Sequence, residues 1–231
     1  MELVNGCTTL SDLPAGTYNV TAIYNGDDKY SSVTENVILT IEKLSTVIVA
    51  SGVNAEYGTS KKITITLKDT NKNLLTGKTI DVVLNGVKYT KTTDSKGQIS
   101  LTTLANLAVK THIATVTFAG DGNHYKSTAT FKVTVKKAAS KITANKKTFK
   151  KSLKVKKYTI TLKSGKKAIK KVQVTLKIKG KTYRATTNAK GKATFKIKKL
   201  TKLGKHTAVI KFKGNKSYKP TTKKVKLTVK K

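Results

Sequence analysis

The stretch Val172-Gln173-Val174-Thr175-Leu176-Lys177-Ile178-Lys179 sets an aliphatic side chain at every second position and a polar one between. Successive side chains of an extended strand point to opposite faces, so this is the pattern of a strand with one face in a core and the other in water. The same alternation closes the chain, where Val225, Leu227 and Val229 alternate with Lys226, Thr228 and Lys230. Thr, Val, Ile and Tyr dominate the periodic segments, and no segment sustains apolar residues at helical spacing. An all-β fold is expected throughout the 231 residues.

Charge is the second strong signal. Residues 138–231 carry 33 Lys or Arg and no Asp or Glu, and Arg184 is the one arginine among them. Disordered basic tails lose their apolar alternation, whereas this segment keeps it, so the lysines must coat a fold. Residues 1–43 have net charge −4, residues 44–137 net +8, and residues 138–231 the remaining +33 of +37. A solubility coat needs a net charge of only about 2 to 8. Uncompensated charge of this size repels itself, which points to a polyanionic partner touched by one end of the molecule. Lysine in place of arginine suits diffuse attraction more than bidentate recognition.

One loop occurs three times, as Tyr24-Asn25-Gly26-Asp27-Asp28-Lys29-Tyr30, as Phe118-Ala119-Gly120-Asp121-Gly122-Asn123-His124-Tyr125 and as Phe212-Lys213-Gly214-Asn215-Lys216-Ser217-Tyr218. Its glycines stand 94 residues apart, and the same step relates Asp94-Ser95-Lys96-Gly97 to Asn188-Ala189-Lys190-Gly191 and Gly86 to Gly180. A repeat of that length is a whole domain. The expected division is 1–43, the last part of a truncated repeat; 44–137, a full repeat; and 138–231, a Lys-rich full repeat. Within 44–137, strands are expected at 46–50, 63–67, 80–84, 87–92, 98–102, 113–118 and 130–135, with Asn85-Gly86 as a two-residue hairpin turn. Seven short antiparallel strands in such a length argue for tandem antiparallel β-sandwiches. The first repeat has room for only three strands, which suggests a fragment of a longer array.

Leu13-Pro14-Ala15-Gly16-Thr17-Tyr18-Asn19-Val20-Thr21-Ala22-Ile23-Tyr24-Asn25-Gly26-Asp27, with Asp94-Ser95-Lys96-Gly97 before an alternating strand, resembles the bacterial-type immunoglobulin-like repeats of adhesin-like surface proteins of methanogenic archaea. The likeness runs through all three units. It implies tandem immunoglobulin-like antiparallel β-sandwiches in a secreted, extracellular or cell-surface stalk of rigid monomeric units on a wall-bearing cell, although no signal sequence or membrane span is written in this chain. The partner it implies is an anionic cell-wall or surface polymer, with a host glycan or protein also open.

Candidate polyanion-binding residues are the outward lysines Lys177, Lys179, Lys196, Lys198, Lys211 and Lys213, which alternate with Leu176, Ile178, Phe195, Ile197, Ile210 and Phe212. The competing reading is a nucleic-acid or acidic-glycan binding module in solution. Nucleic acid is disfavoured by the near-absence of arginine, by aromatic residues assigned to loop and core positions, and by a fold without a groove-reading helix.

No enzyme is expected, because no nucleophile, base and orienting group occur together, and no cofactor or metal is expected either. Tyr18, His112 and His206 share one repeat position and suit a corner residue bonding back to the chain. Asp27, Asp28 and Asp121 offer too few carboxylates for calcium, and the third loop copy has none, so turn chemistry with a plugging aromatic is expected there. A Lys–Asn cross-link needs a neighbouring acid, which the third repeat lacks. Cys7 is the single cysteine, aligned with the outward positions Gln98 and Lys192, and cannot form a disulfide within the chain. Asn19 and Asn215 lie in glycosylation sequons, with Asn215 in the more accessible setting.

Overall fold

The computed structural model of the chain describes Leu10 and residues 12–231. All its regular structure is β. The first strands, β1 (Gly16–Tyr24) and β2 (Val33–Ile41), form an antiparallel two-stranded ladder in which Gly16 pairs with Ile41 and Tyr24 with Val33. The third strand expected in this repeat, beside Cys7, lies outside the described residues.

Eight strands follow: β3 (Thr46–Ala50), β4 (Val53–Glu56), β5 (Lys62–Asp69), β6 (Thr79–Leu84), β7 (Val87–Thr92), β8 (Gln98–Thr102), β9 (Thr111–Phe118) and β10 (Ser127–Lys136). One sheet has the order β3-β5-β8 and the other β4-β10-β9-β6-β7. The inward positions set by alternation are the buried ones: Ile65 and Leu67 from one sheet, Val82, Leu84 and Val116 from the other. All seven expected strands are present, with bounds shifted by up to three residues at β10. The added strand is β4, whose Val-Asn-Ala-Glu is too short and too polar to declare itself by alternation.

The remaining strands are β11 (Lys141–Thr143), β12 (Lys147–Lys150), β13 (Lys156–Ser164), β14 (Lys167–Ala168), β15 (Gln173–Ile178), β16 (Lys181–Thr186), β17 (Lys192–Ile197), β18 (Gly204–Phe212) and β19 (Thr221–Lys230). They form one sheet of order β11-β13-β14 with β17 also paired to β13, and a second of order β12-β19-β18-β15-β16. The pairing of β12 with β19 is parallel, with Phe149 opposite Val229, in an otherwise antiparallel arrangement. Phe195, Leu162 and Ile197 on the first sheet and Leu176, Ile210 and Leu227 on the second belong to one buried cluster drawn wholly from residues 142–229. Each such side chain contributes about 1.5–3 kcal/mol on burial. That apolar core is what opposes the repulsion among the surface lysines.

By compactness the chain divides into one unit of residues 1–53, 61–103 and 112–133 and another of 54–60, 104–111 and 134–231. The hydrogen-bonded sheets keep a simpler boundary, β3–β10 bonding among themselves and β11–β19 among themselves.

Candidate polyanion-binding surface

The repeated turns show how charge can be removed without losing structure. In the Gly-Asp loop of the first repeat, Asp27 Oδ1 accepts the Lys29 and Tyr30 amides at 2.8 and 2.9 Å. In the third copy Asn215 Oδ1 accepts the Ser217 and Tyr218 amides, both at 2.9 Å. Before β8, Asp94 Oδ1 accepts from Lys96 and Gln98, and before β17 Asn188 Oδ1 accepts from Lys190 and Lys192 at 2.9 and 3.0 Å. A side-chain oxygen folding the backbone onto itself is what these turns need, and amide and carboxylate both supply it. Turn chemistry therefore accounts for the aspartates. Gly26, Gly120 and Gly214 have positive φ, and a Cβ on Gly214 would come within 2.8 Å of the Tyr218 carbonyl, which fixes glycine there.

The plugging role expected of the loop aromatics needs correction. Tyr30 is 67% exposed and Tyr125 49%, whereas Tyr218 packs against the core of residues 142–229.

The five acids of residues 44–137 all have uncharged or basic counterparts in residues 138–231. Glu56 becomes Lys150, Asp81 becomes Thr175, Asp94 becomes Asn188 and Asp121 becomes Asn215, each 94 residues on. Asp69 opposes Thr46 at the end of β5, and Ser164, the last residue of β13, follows Lys163, which opposes Lys141, so Ser164 takes its place one residue out of step. The side-chain partners of Asp121 go as well. Asp121 lies 2.6 Å from Lys78 Nζ and 2.8 Å from His124 Nδ1, and those positions become Val172 and Tyr218. Although burial opposes its charge, hydrogen bonding with the Lys78 ammonium, the His124 ring and the Asn123 amide holds the Asp121 carboxyl well below its ordinary value. Asp94 is likewise lowered, by the Gln98 and Lys96 amides.

All six candidate lysines are exposed. They do not converge. Lys177 on β15 and Lys211 on β18 share the outer face of the five-stranded sheet, with Lys213 just beyond β18 and Lys179 in the β15–β16 turn. Lys196 on β17 and Lys198 just after it belong to the other sheet. The two faces differ in pattern. Across the five-stranded sheet, Arg184, Thr175, Lys211 and Thr222 stand in one row, and Thr182, Lys177, Val209 and Lys224 in the next. Directly opposed like charges destabilise a sheet, and this alternation separates them. On the other sheet Lys157 opposes Lys196 and Lys141 opposes Lys163 directly.

Lys179 has φ 47° in a two-residue turn where the second repeat has Asn85 at φ 52°, each followed by a positive-φ glycine. The Asn85-Gly86 turn forms as expected, and its counterpart holds a lysine where asparagine is the better-tolerated residue. Lys156 is not part of the coat at all. It is 2% exposed, and its Nζ donates to the Leu153 carbonyl at 2.7 Å. The signal was present in the sequence, since Lys156 takes the inward parity of Tyr158, Ile160 and Leu162.

The shared corner position behaves as a structural post. Tyr18 Oη donates to the Pro14 carbonyl and His206 Nε2 meets the Lys202 carbonyl, both at 2.7 Å and both four residues back. His112 takes that position in the second repeat and is buried. Asn19 is exposed in β1, against the lower accessibility expected of a strand residue, and Asn215 Oδ1 is engaged in its turn. Among the described residues no group of three or more His, Cys, Asp or Glu side chains could hold a metal ion, and no helix is long and apolar enough to cross a membrane.

No family model matches the sequence, and no curated protein matches it. Among solved structures, the chain is similar to invasin, described as a bacterial integrin-binding protein, at 18% identity and a TM-score of 0.53, over 81% of this chain and 40% of that one. It thus spans well under half of the invasin chain. A tetra-tandem repeat from the extending region of a large adhesion protein is similar at 15% identity and a TM-score of 0.45, over 95% of this chain and 58% of that one. Titin domains Z1Z2 give 11% identity and a TM-score of 0.45, over 82% of this chain and 98% of theirs. At 18% identity the likeness to invasin is one of fold, and with the all-β sheets described above the chain is an array of immunoglobulin-like β-sandwiches.

Proposed function

We propose that the chain is a structural and adhesive module of a cell surface, in which the unit 138–231 holds an anionic wall or surface polymer by many weak charge contacts. The units 1–43, 44–137 and 138–231 serve as successive repeats of an extracellular stalk, and none has an enzymatic role. The observation that carries this reading is the loss of every acid from a fold that kept its turns. Asn188 and Asn215 make the two turns that Asp94 and Asp121 make in the second repeat while contributing no negative charge. A coat selected only for solubility would have no reason to exchange those two. The adhesion proteins of similar fold are in keeping with a surface role.

The test is retention of the two full units on immobilised polygalacturonate at physiological salt. Residues 138–231 are expected to be held and residues 44–137 to pass through. Equal behaviour of the two units would remove the basis of the proposal.

A further inference from the structure

The unit 138–231 contains a groove that the unit 44–137 lacks the charge to build. It lies between residues 144–148, which lead into and through the start of β12, and the β18–β19 ladder. Two depressions of about 500 and 380 Å³ make it up, and both are lined by Lys146 and Lys226. Lys147 and Lys205 complete one, and Lys223 and Lys224 the other. Between them the floor is neutral: Thr207 accepts a hydrogen bond from Lys226 Nζ at 2.7 Å, and Thr148 and Thr228 continue it. Along β19 the outward Lys224 and Lys226 are two residues apart, roughly 6–7 Å at strand rise.

The internal repeat shows that these cations are particular to this unit. Lys146, Lys147, Lys205, Lys223 and Lys224 correspond to Gly52, Val53, Thr111, Ala129 and Thr130, and of the six only Lys226 has a basic counterpart, Lys132. At Gly52 a Cβ would stand 3.0 Å from the Lys132 carbonyl, so the chain there lies close against β10, with little room for a side chain. Lys146 at the equivalent position is exposed.

Building on the electrostatic reading above, we infer that this groove is the polymer site, and that its occupant is a single extended chain of an acidic polysaccharide. Of the six lysines lining it, Lys147 has its Nζ on the Lys157 carbonyl at 3.0 Å and Lys226 on Thr207, and together with Lys146, Lys205, Lys223 and Lys224 they match a chain carrying closely spaced carboxylate or sulfate groups, each contact being of the charge-assisted kind. The threonine hydroxyls of the floor match the hydroxyls of a sugar. A single-stranded nucleic acid would need aromatic platforms for its bases. The ring beside the groove, Phe149, is 4% exposed, with Lys147 Nζ 5.3 Å from its centroid, and offers no stacking face.

The experiment uses the full chain and a polygalacturonate oligomer, with oligo(dT) of similar charge as a second probe. Lys146→Gly, Lys147→Val, Lys205→Thr and Lys224→Thr together install what the second unit carries. Lys177→Gln, Lys196→Gln, Lys198→Gln and Lys213→Gln remove the same charge elsewhere. By titration at physiological salt, the groove variant is expected to lose about tenfold or more in affinity and the reference variant less than about threefold. Amide shifts of the unsubstituted protein on adding the oligomer should centre on 144–148, 205–209 and 223–228, a readout that does not depend on the variant folding. Equal losses in the two variants, or shifts centred elsewhere, overturn the groove while leaving diffuse electrostatic binding intact. No binding of either probe by the unsubstituted protein overturns both readings. Tighter binding of oligo(dT) than of polygalacturonate overturns the choice of polysaccharide.

Discussion

Replacing Lys179 by asparagine should stabilise the unit 138–231 while weakening its hold on a polyanion. Lys179 has φ 47°, in the left-handed region. For an L-residue with a Cβ that conformation costs about 1–2 kcal/mol, much of it recovered by asparagine, whose short side chain bonds locally. The second repeat uses Asn85 at this turn. Lys179→Asn is therefore expected to gain on the order of 1 kcal/mol, a rise in Tm of about 4–8 °C for a domain of this size. The control is Lys177→Gln, which removes the same charge from a regular strand position. Thermal unfolding of the isolated unit, whose core is self-contained, is followed in low salt and in about 1 M salt, where the Debye length falls to ~3 Å. In low salt both variants gain from reduced repulsion. In high salt only Lys179→Asn should keep its advantage. A Lys179→Asn variant no more stable than Lys177→Gln in high salt would refute the idea that backbone strain is tolerated here in exchange for charge.

Further outcomes follow from the same features. Stability of residues 138–231 should be nearly flat between pH 5 and 2, because its sole carboxyl group is the chain terminus, whereas residues 44–137 should lose stability over that range. The sign follows from Asp81, Asp94 and Asp121, whose lowered carboxyls stabilise the fold above their unfolded values and stop doing so as pH falls through the folded ones; acid-induced unfolding at matched salt checks it. Gly191→Ala should destabilise by roughly 3 kcal/mol or more, since φ is 71° and a Cβ would meet the Leu162 carbonyl at 2.5 Å, whereas Gly180→Ala meets nothing within 4 Å and should cost less; denaturant midpoints decide. Asn188→Asp with Asn215→Asp should keep both turns and the fold by circular dichroism but weaken polygalacturonate binding more than Thr159→Ser with Thr194→Ser, changes that leave the charge untouched.

Much of this was legible in the residues, because alternation reports which side chains face inward. It located the strands of 44–137, and the 94-residue step located the corner and turn positions. Alternation does not report which of two sheets a strand joins, so Lys196 and Lys177 read alike although they stand on opposite sheets. Short strands such as β4 and β14 hold too few residues to show a period. Exposure of Tyr30 and Tyr125 depends on what lies across the loop, and the strain at Lys179 only on φ, neither of which the residue type reveals. The groove leaves no mark on the sequence because its walls come from three stretches that only the fold brings together.

Polyanion binding by the unit 138–231 through charge underlies both the proposed function and the groove. Its most direct test is the affinity of the full chain for polygalacturonate measured as a function of salt. A steep fall is expected as ionic strength rises from about 0.05 to 0.5 M, since exposed charges are screened over ~8 Å already at physiological salt. Binding that survives molar salt unchanged would contradict it.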